Sequence, residues 1–396
     1  MDRRPVRILL AYLLGALLLG GCASRAARSS DVDVAGTAAP RSDSLRARLQ
    51  AVLDSLHAAG RFPGATAAVA LPDGSTIALA VGLADTAQRR PMRPADRMLA
   101  GSVGKTFVAA VALRLVQEGR LSLDERLSRW LGSESWFDRL PNAHAITIRM
   151  LMHHTSGIQR YEFKPQVTTI LTNEPDKVWT PEERVGFVLG DTPPFAAGQG
   201  WDYSDTNYIL LGMVIERITG SDLYAEVRHR ILEPLGLRHT VPSDRRSIPG
   251  VVQGYAGPDN PFGRTDAMLV DGRMVINPQM EWAGGGFATT AEDLARWAKA
   301  LYEGRVLDSA TTAMMLDGVP ARLGPDTRYG LGVIIRPTRL GITYGHSGFF
   351  PGWVTDMMYF PELRTAVAVQ VNTSAPRTIG RPLSEILVRV AEVVPR

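Results

Sequence analysis

A serine and a lysine three positions apart, Ser102 and Lys105, are the residues of this chain best suited to catalysis. Positions i and i+3 of a helix share a face, so the Ser102 hydroxyl and the Lys105 amine can meet. A serine hydroxyl becomes a strong nucleophile when a neighbouring base takes its proton. A lysine amine can be that base once it is neutral, whereas arginine stays charged. The spacing therefore indicates nucleophilic catalysis at Ser102.

The residues around this pair predict a buried helix. An apolar run follows the lysine at 107–113, and a helix that is apolar on all sides packs inside a core. Burial and a helix N-terminus both disfavour the charged form of lysine, so we expect Lys105 to be able to become neutral. Taken alone, the segment Ser102-Val103-Gly104-Lys105 also fits a serine that caps a helix, followed by a solvated lysine.

Two further polar groups occur downstream. Tyr203 and Asp205 precede a predicted helix, and a phenol beside a lysine ammonium can shift toward phenolate and act as a base. His346, Ser347 and Gly348 end a predicted strand, where the imidazole could supply charge or a hydrogen bond and the small residues would admit a substrate. A helix-capping loop and a glycine-rich strand end are the corresponding structural alternatives.

The segments that must position these groups are strands at both ends of the chain and helices between them. Alternating or β-branched patterns predict strands at 65–70, 75–81, 329–336, 341–345, 353–360 and 365–372. Helical periodicity is present at 44–59, 146–152, 208–219, 222–231, 291–302 and 382–393. This order predicts an α/β (α+β) fold, with one α/β part at about 44–115 and 290–396, a mainly helical part at about 116–289, and a site in the cleft between them.

Taken together, the three polar groups resemble the serine β-lactamase and penicillin-binding-protein superfamily. The class C β-lactamase-like branch, which includes D-alanyl-D-alanine carboxypeptidases, D-aminopeptidases and esterases, is the most similar. Further motifs fall in the same order, namely His-His-Thr-Ser-Gly at 153–157, Gly-Gly-Gly-Phe-Ala-Thr-Thr at 284–290 and Tyr-Gly-Leu-Gly at 329–332. The resemblance covers 44–396 and implies an antiparallel sheet built from the N- and C-terminal segments and flanked by helices.

The resemblance also implies roles for individual residues. Ser102 would attack a carbonyl and form an acyl-enzyme, while Lys105 and Tyr203 would shuttle the proton, without deciding which of them is the acylation base. The backbone N–H groups of Ser102 and Phe349 would form the oxyanion hole. Substrate binding would fall to Asp205 and to the His346-Ser347-Gly348 segment. No metal or cofactor is implied.

Two positions depart from the family pattern. The third motif usually begins with lysine, whereas His346 is only partly charged near neutral pH and would hold a substrate carboxylate less firmly. Asp205 stands where asparagine is usual, and a carboxylate cannot donate to a substrate carbonyl and would favour the Lys105 ammonium. We therefore expect hydrolysis of an ester or a D-amino-acid amide or peptide bond. A class C-like β-lactamase and a non-catalytic penicillin- or peptidoglycan-binding module are the alternatives.

The N-terminus predicts a lipoprotein signal peptide over 1–21. Three arginines precede an apolar run at 8–19 that is short for a membrane span. The run leads to Leu-Gly-Gly-Cys22, which resembles the lipobox whose cysteine is acylated, and Cys22 is the single cysteine. A flexible tether is predicted at 22–43. We expect an exported protein, lipid-anchored at the cell envelope and facing the periplasm, in the outer membrane of a Gram-negative host; an ordinary secretory peptide is the alternative.

Charge and motif spacing weigh against other classes. A formal net charge of +4 over 396 residues, without a basic cluster, gives no indication of a nucleic-acid partner. Gly104-Lys105-Thr106 imitates the end of a phosphate-binding loop, but that loop requires glycine at position 99, which is Leu99. The adjacent His153 and His154 lack the spacing of metal ligands. The expected partner is a small-molecule or peptide substrate, and the oligomeric state stays open.

Overall fold

The computed structural model of the protein describes residues 39–257, 260 and 266–395. The predicted signal peptide, Cys22 and residues 22–38 of the predicted tether lie outside the described residues. Helix α1 spans Ala39–Ala59, so it begins five residues before the helix predicted at 44–59. No helix within the described ranges is long and apolar enough to cross a bilayer.

A nine-stranded antiparallel sheet forms the centre of the molecule. In spatial order its strands are β3 (Arg90–Pro91), β2 (Thr76–Asp85), β1 (Gly64–Ala70), β14 (Thr365–Val371), β13 (Trp353–Phe360), β12 (Gly341–Phe350), β11 (Ile334–Thr338), β10 (Arg328–Tyr329) and β9 (Val319–Pro320). The first and last parts of the chain meet where β1 pairs with β14, with Ala65 opposite Val371. The predicted antiparallel sheet from the two terminal segments is therefore confirmed.

Helices cover both faces of this sheet. One face packs against α1 and α13 (Leu383–Ala391), which bury Leu49, Leu53 and Leu387 against it. The other face carries α10 (Ala291–Tyr302) and the larger core cluster around α2 (Lys105–Gln117). The remaining helices are α3 (Ser128–Leu131), α4 (Ile148–His153), α5 (Pro165–Asn173), α6 (Pro181–Gly186), α7 (Asp205–Thr219), α8 (Leu223–Val227), α9 (Glu233–Leu235), α11 (Ser309–Leu316) and α12 (Pro376–Ile379).

Short strands also occur within the part that was expected to be mainly helical, and one of them pairs with a strand from the α/β part. They form a small sheet in the order β4 (Met98–Leu99), β8 (Phe287–Thr289) and β5 (Val241–Pro242), and a hairpin of β6 (Leu269–Val270) and β7 (Arg273–Met274). The β4–β8 pairing joins the segment just before Ser102 to the segment just after Gly284. This small sheet therefore brings two of the sequence motifs side by side.

Two predicted elements are broken in the structure. The strand predicted at 329–336 is two strands, because Gly330 N donates to Val333 O over 2.8 Å and Gly332 has a φ of +79°, which glycine adopts without strain. The helix predicted at 222–231 is α8 followed by a π-helical turn, Arg228–Leu232. Pro234 lies just beyond this turn, where its ring and missing N–H oppose regular helix.

Candidate active site

Main-chain contacts fix the turn that carries Ser102. Residues Gly101–Gly104 form a 3-10 helix that runs directly into α2 at Lys105. Gly101 has a φ of +50°, and a Cβ atom built on it would lie 2.5 Å from the backbone nitrogen of Phe349. A Cβ on Gly348 would lie 1.9 Å from Ala100 O. Glycine at both positions therefore lets this turn and strand β12 touch through their main chains.

The Lys105 ammonium is fully buried and uses all three of its donor positions. Its Nζ donates to Ser102 Oγ over 3.1 Å, to Asp205 Oδ1 over 2.5 Å and to the carbonyl oxygen of Gly284. An ammonium has three hydrogens, so each hydrogen has an acceptor. The structure thus brings the predicted Ser102 and Lys105 into direct contact and adds Asp205 to the pair.

The charge on Lys105 differs from the sequence-based expectation. Burial lowers the pKa of Lys105, as expected, but the Asp205 carboxylate and Tyr203 raise it, and the net pKa lies above its ordinary value. Burial raises the pKa of Asp205, whereas Lys105 and Arg160 lower it to a net value below the ordinary one. Lys105 and Asp205 are therefore an ion pair at neutral pH. The expectation of an easily neutralised Lys105 is wrong, because the sequence did not give the distance to Asp205.

Tyr203 lies over this pair, in the loop that leads into α7. Lys105 Nζ is 5.0 Å from the centroid of its ring. Its buried hydroxyl makes no hydrogen bond of good geometry within the described residues, yet Ser102 and Lys105 are near enough to influence its proton. Burial raises the pKa of Tyr203, Lys105 and Ser102 oppose this, and the net pKa is above its ordinary value. The shift toward phenolate expected from the sequence is therefore absent, and the resting side chain is a phenol.

Two buried carboxyl groups near Asp205 were missed by the sequence analysis. Burial is the largest cause that raises the pKa of Glu162, which reaches about 7. Burial also raises the pKa of Glu281, well above its ordinary value. The nearby Asp205 carboxylate raises both further. The only sequence signal is an acidic residue within an otherwise apolar or aromatic stretch, such as Glu281 before Trp282-Ala283. Such a signal does not reveal which charge the residue faces.

The second histidine of the His-His motif supports the Tyr203 loop. His154 Nδ1 accepts from Ser204 N at 3.3 Å and from Asn207 Nδ2 at 3.1 Å. Its ring centroid is 4.2 Å from that of Tyr203. Burial, followed by the charge of Lys105, holds the pKa of His154 well below its usual value. A neutral His154 therefore positions the loop, and the described residues contain no group of three or more His, Cys, Asp or Glu suited to a metal.

His346 is buried and neutral. Burial, followed by the Lys105 charge, lowers its pKa to about 3. The Nδ1 atom lies 2.7 Å from the carbonyl oxygen of Ser347, which can only accept, so Nδ1 carries the hydrogen. Nε2 therefore accepts from the Tyr329 hydroxyl at 2.9 Å. The expectation of a partly charged His346 is wrong, because the sequence did not show that the ring would be 98 % buried beside a cation.

The residues after His346 lie in β12, which runs to Phe350 rather than ending at 345. Ser347 donates from Oγ to Asp356 Oδ2 over 3.0 Å, so its hydroxyl is engaged with the neighbouring strand β13. Its contact with substrate stays a prediction. The Phe349 amide lies beside the Ser102 turn, as the close approach at Gly101 shows. The structure therefore groups Ser102, Lys105, Tyr203, Asp205, His346 and the Phe349 main chain, while the Ser347 hydroxyl bonds to Asp356 of β13.

The comparisons with known proteins agree with this geometry. The family model described as Beta-lactamase matches residues 49–388. The structure of a D-amino acid amidase from Ochrobactrum anthropi SV3 superposes with a TM-score of 0.76 at 28 % identity, covering 88 % of this chain and 98 % of that one. Penicillin-binding protein 4* of Bacillus subtilis is 25 % identical over 83 % of this chain and 72 % of its own length. Esterase EstB of Burkholderia gladioli is 35 % identical over 49 % of this chain and 51 % of its own length.

The chain belongs to the beta-lactamase family. Within that family its class is serine hydrolase, as the resemblance implied. The aligned region spans only about half of the esterase.

Proposed function

We propose that this protein hydrolyses an ester or a D-amino-acid amide or peptide bond through an acyl-enzyme on Ser102. The observation that carries the proposal is the hydrogen bond of 3.1 Å between Lys105 Nζ and Ser102 Oγ in a site closed to solvent around the amine. The names of the relatives, which include an esterase and a D-amino acid amidase, support the same range of bonds.

The proton path begins from a resting state with no free base next to Ser102. Lys105 is an ammonium and Tyr203 is a phenol, so one proton must pass from this pair to solvent before Ser102 can be deprotonated. The remaining amine or phenolate then takes the Ser102 proton, and the same pair returns it to the leaving group. A water molecule then gives its proton to the same pair and attacks the acyl group. The pair returns the proton to Ser102 as the acid product leaves. We propose the amides of Ser102 and Phe349 as the oxyanion hole.

The same charges favour ordinary esters and amides over β-lactams. Asp205 is ionised and bound to Lys105, so it cannot donate a hydrogen bond to an amide carbonyl of the substrate. His346 is neutral and engaged with Tyr329, so it supplies no charge for the carboxylate of a β-lactam. Both groups therefore oppose efficient β-lactam turnover.

A trapping experiment and a substrate panel test the proposal. A fluorophosphonate should add to Ser102 in the wild-type protein and leave Ser102→Ala unmodified, as read by mass spectrometry of the intact protein and its peptides. Turnover should be faster with p-nitrophenyl esters or D-Ala-D-Ala peptides than with nitrocefin. Absence of an adduct at Ser102 would favour a non-catalytic binding module, and faster turnover of nitrocefin would favour a β-lactamase.

A further inference from the structure

A buried cluster of three carboxyl groups and two cations surrounds the ion pair of the candidate site. Lys105 binds Asp205 over 2.5 Å, and Arg160 Nε donates to Glu162 Oε1 over 2.5 Å. The third carboxyl group, that of Glu281, faces both Asp205 and Glu162. The number of protons on these carboxyl groups therefore sets the net charge around the Lys105 ammonium.

The two carboxyl oxygens of Glu162 have different surroundings. Oε1 accepts the hydrogen bond from Arg160. Oε2 is buried and has no hydrogen-bond donor among the residues that the structure describes. A buried carboxylate oxygen without a donor is costly, whereas a protonated oxygen becomes a donor itself. The geometry therefore favours a proton on Oε2 of Glu162.

The acceptor for that hydrogen is Asp205, the first residue of α7. The 3-10 helix that carries Glu162 packs against α7, and Tyr161 N donates to Thr206 Oγ1 over 3.2 Å. Burial raises the pKa of Asp205, but the charge of Lys105 and a hydrogen bond from Glu162 are among the causes that lower it below its ordinary value. Asp205 is therefore the ionised member of this carboxyl pair, and the proton between them lies on Glu162.

The other titratable groups packed around Glu162 keep their charge across the neutral range. Burial raises the pKa of Tyr161 and that of Glu281 well above their ordinary values, so both stay protonated. Helix α5 has no titratable residue, and Arg184 of α6 donates to the carbonyl oxygens of residues 279 and 280. Burial raises the pKa of Glu162 to about 7, although Arg160 lowers it. The charge of Glu162 therefore changes near neutral pH while these neighbours keep theirs.

We propose that Glu162 is a positioning residue, which holds one proton against Asp205 and thereby eases the loss of a proton from the Lys105–Tyr203 pair. With that proton in place, Glu162 and Asp205 together carry one negative charge and face two cations, Lys105 and Arg160. The excess positive charge favours release of a proton to solvent. Once Glu162 is ionised, a second negative charge holds the Lys105 proton more firmly. This inference rests on the proposed hydrolase function and adds a residue that tunes it through Asp205.

The variant Glu162→Gln tests this role through the pH profile of ester hydrolysis. Glutamine keeps a donor for Asp205 and an acceptor for Arg160, but it never gains a negative charge. The rising limb of kcat/KM with a p-nitrophenyl ester should therefore move to lower pH by roughly one unit, the size expected for one charge a few ångströms away. A role in folding alone would change the height of the profile and leave the limb in place.

Glu226→Gln is the matched control. Glu226 accepts from Arg230 Nε over 2.6 Å, and its side chain is 13 % exposed, against 11 % for Glu162. Arg230 also binds Glu118, which follows α2 about 20 Å along the helix from Lys105. This variant should therefore leave the rising limb unmoved. An unmoved limb in Glu162→Gln, or an equal shift in Glu226→Gln, overturns the assignment.

A titration without turnover keeps the inference separable from the hydrolase proposal. In protein labelled with carbon-13 at the glutamate carboxyl groups, one NMR signal should titrate with a midpoint near pH 7. It should be missing from Glu162→Gln and present in Glu226→Gln. Absence of such a signal from the wild-type protein overturns the inference. Its presence in a protein that hydrolyses no ester retains the shared proton and rejects the hydrolase proposal.

Discussion

Two buried lysines, Lys105 on α2 and Lys299 on α10, show what separates a reactive group from a structural one. Both are almost fully buried, and both pair with a carboxylate, Asp205 at 2.5 Å and Glu303 at 2.8 Å. Both also donate to a main-chain carbonyl. The third partner of Lys105 is the hydroxyl of Ser102, whereas Lys299 joins α10 to the turn before β14 through Arg364 O. Burial and an ion pair are therefore insufficient for reactivity, and the added nucleophile makes the difference.

The strongest test of this comparison exchanges each lysine for arginine. Lys105→Arg should reduce kcat/KM by roughly 100- to 10,000-fold, because arginine keeps its proton and cannot accept one from Ser102. Lys299→Arg should keep kcat/KM and lower the free energy of unfolding by about 1–3 kcal/mol, because the longer side chain overpacks its site. Ester kinetics and urea denaturation measure the two effects. Equal kinetic losses in the two variants would remove the distinction.

A second test exchanges the carboxylate partner of each lysine. The reaction requires one proton to leave the Lys105–Tyr203 pair, so kcat/KM should rise with pH through the titration of that pair. Asp205 raises the pKa of Lys105, so Asp205→Asn should lower that pKa and move the rising limb of the pH profile to lower pH. Glu303→Gln, next to Lys299, is the control and should leave the profile in place. An unmoved limb in Asp205→Asn contradicts the ion-pair account.

The third and smallest effect concerns stability and extends the comparison to His346, whose pKa is lowered first by burial and then by the Lys105 charge. The folded pKa of His346 is about 3, against an ordinary value of 6.5, so between these values the unfolded chain binds a proton that the folded chain does not. Stability is therefore fully present above about pH 6.5 and falls as the pH decreases, by about 2 kcal/mol between pH 7 and pH 5. His346→Gln should remove this part of the loss. Urea titrations at both pH values measure it, with the exposed His229→Gln as control.

The sequence predicted those elements whose pattern is regular and uninterrupted. The strand at 353–360 and the helix at 291–302 have the predicted bounds, because each keeps one periodicity to its ends. The prediction of one strand at 329–336 was wrong, because a bend at Gly330–Gly332 divides it and that bend depends on backbone hydrogen bonding. Strand β12 extends past 345 because it pairs with β13 over seven positions from Tyr344 to Phe350, a contact between strands that local composition does not encode.

The candidate site divides in the same way. Motif order identified Ser102, Lys105, Tyr203 and His346 as residues that belong together, and the structure places them in one cluster around Lys105 and Tyr203. The roles assigned to them stay predictions. Their protonation could not be read from the sequence, because it depends on burial and on distances to Asp205 that only the folded chain defines. The contact of Arg160 with Tyr203 was not predicted, because it joins residues 43 positions apart in the sequence.

The contact between the Ser102 turn and β12 has an evolutionary consequence. It is made by backbone atoms and requires glycine at 101 and 348, because a Cβ atom at either position would collide with the opposite main chain. Exchanges at residues outside this contact leave the backbone approach of the turn to β12 unchanged. We expect substitutions elsewhere to accumulate during evolution more readily than substitutions of these two glycines, because the glycines keep the Ser102 hydroxyl in position.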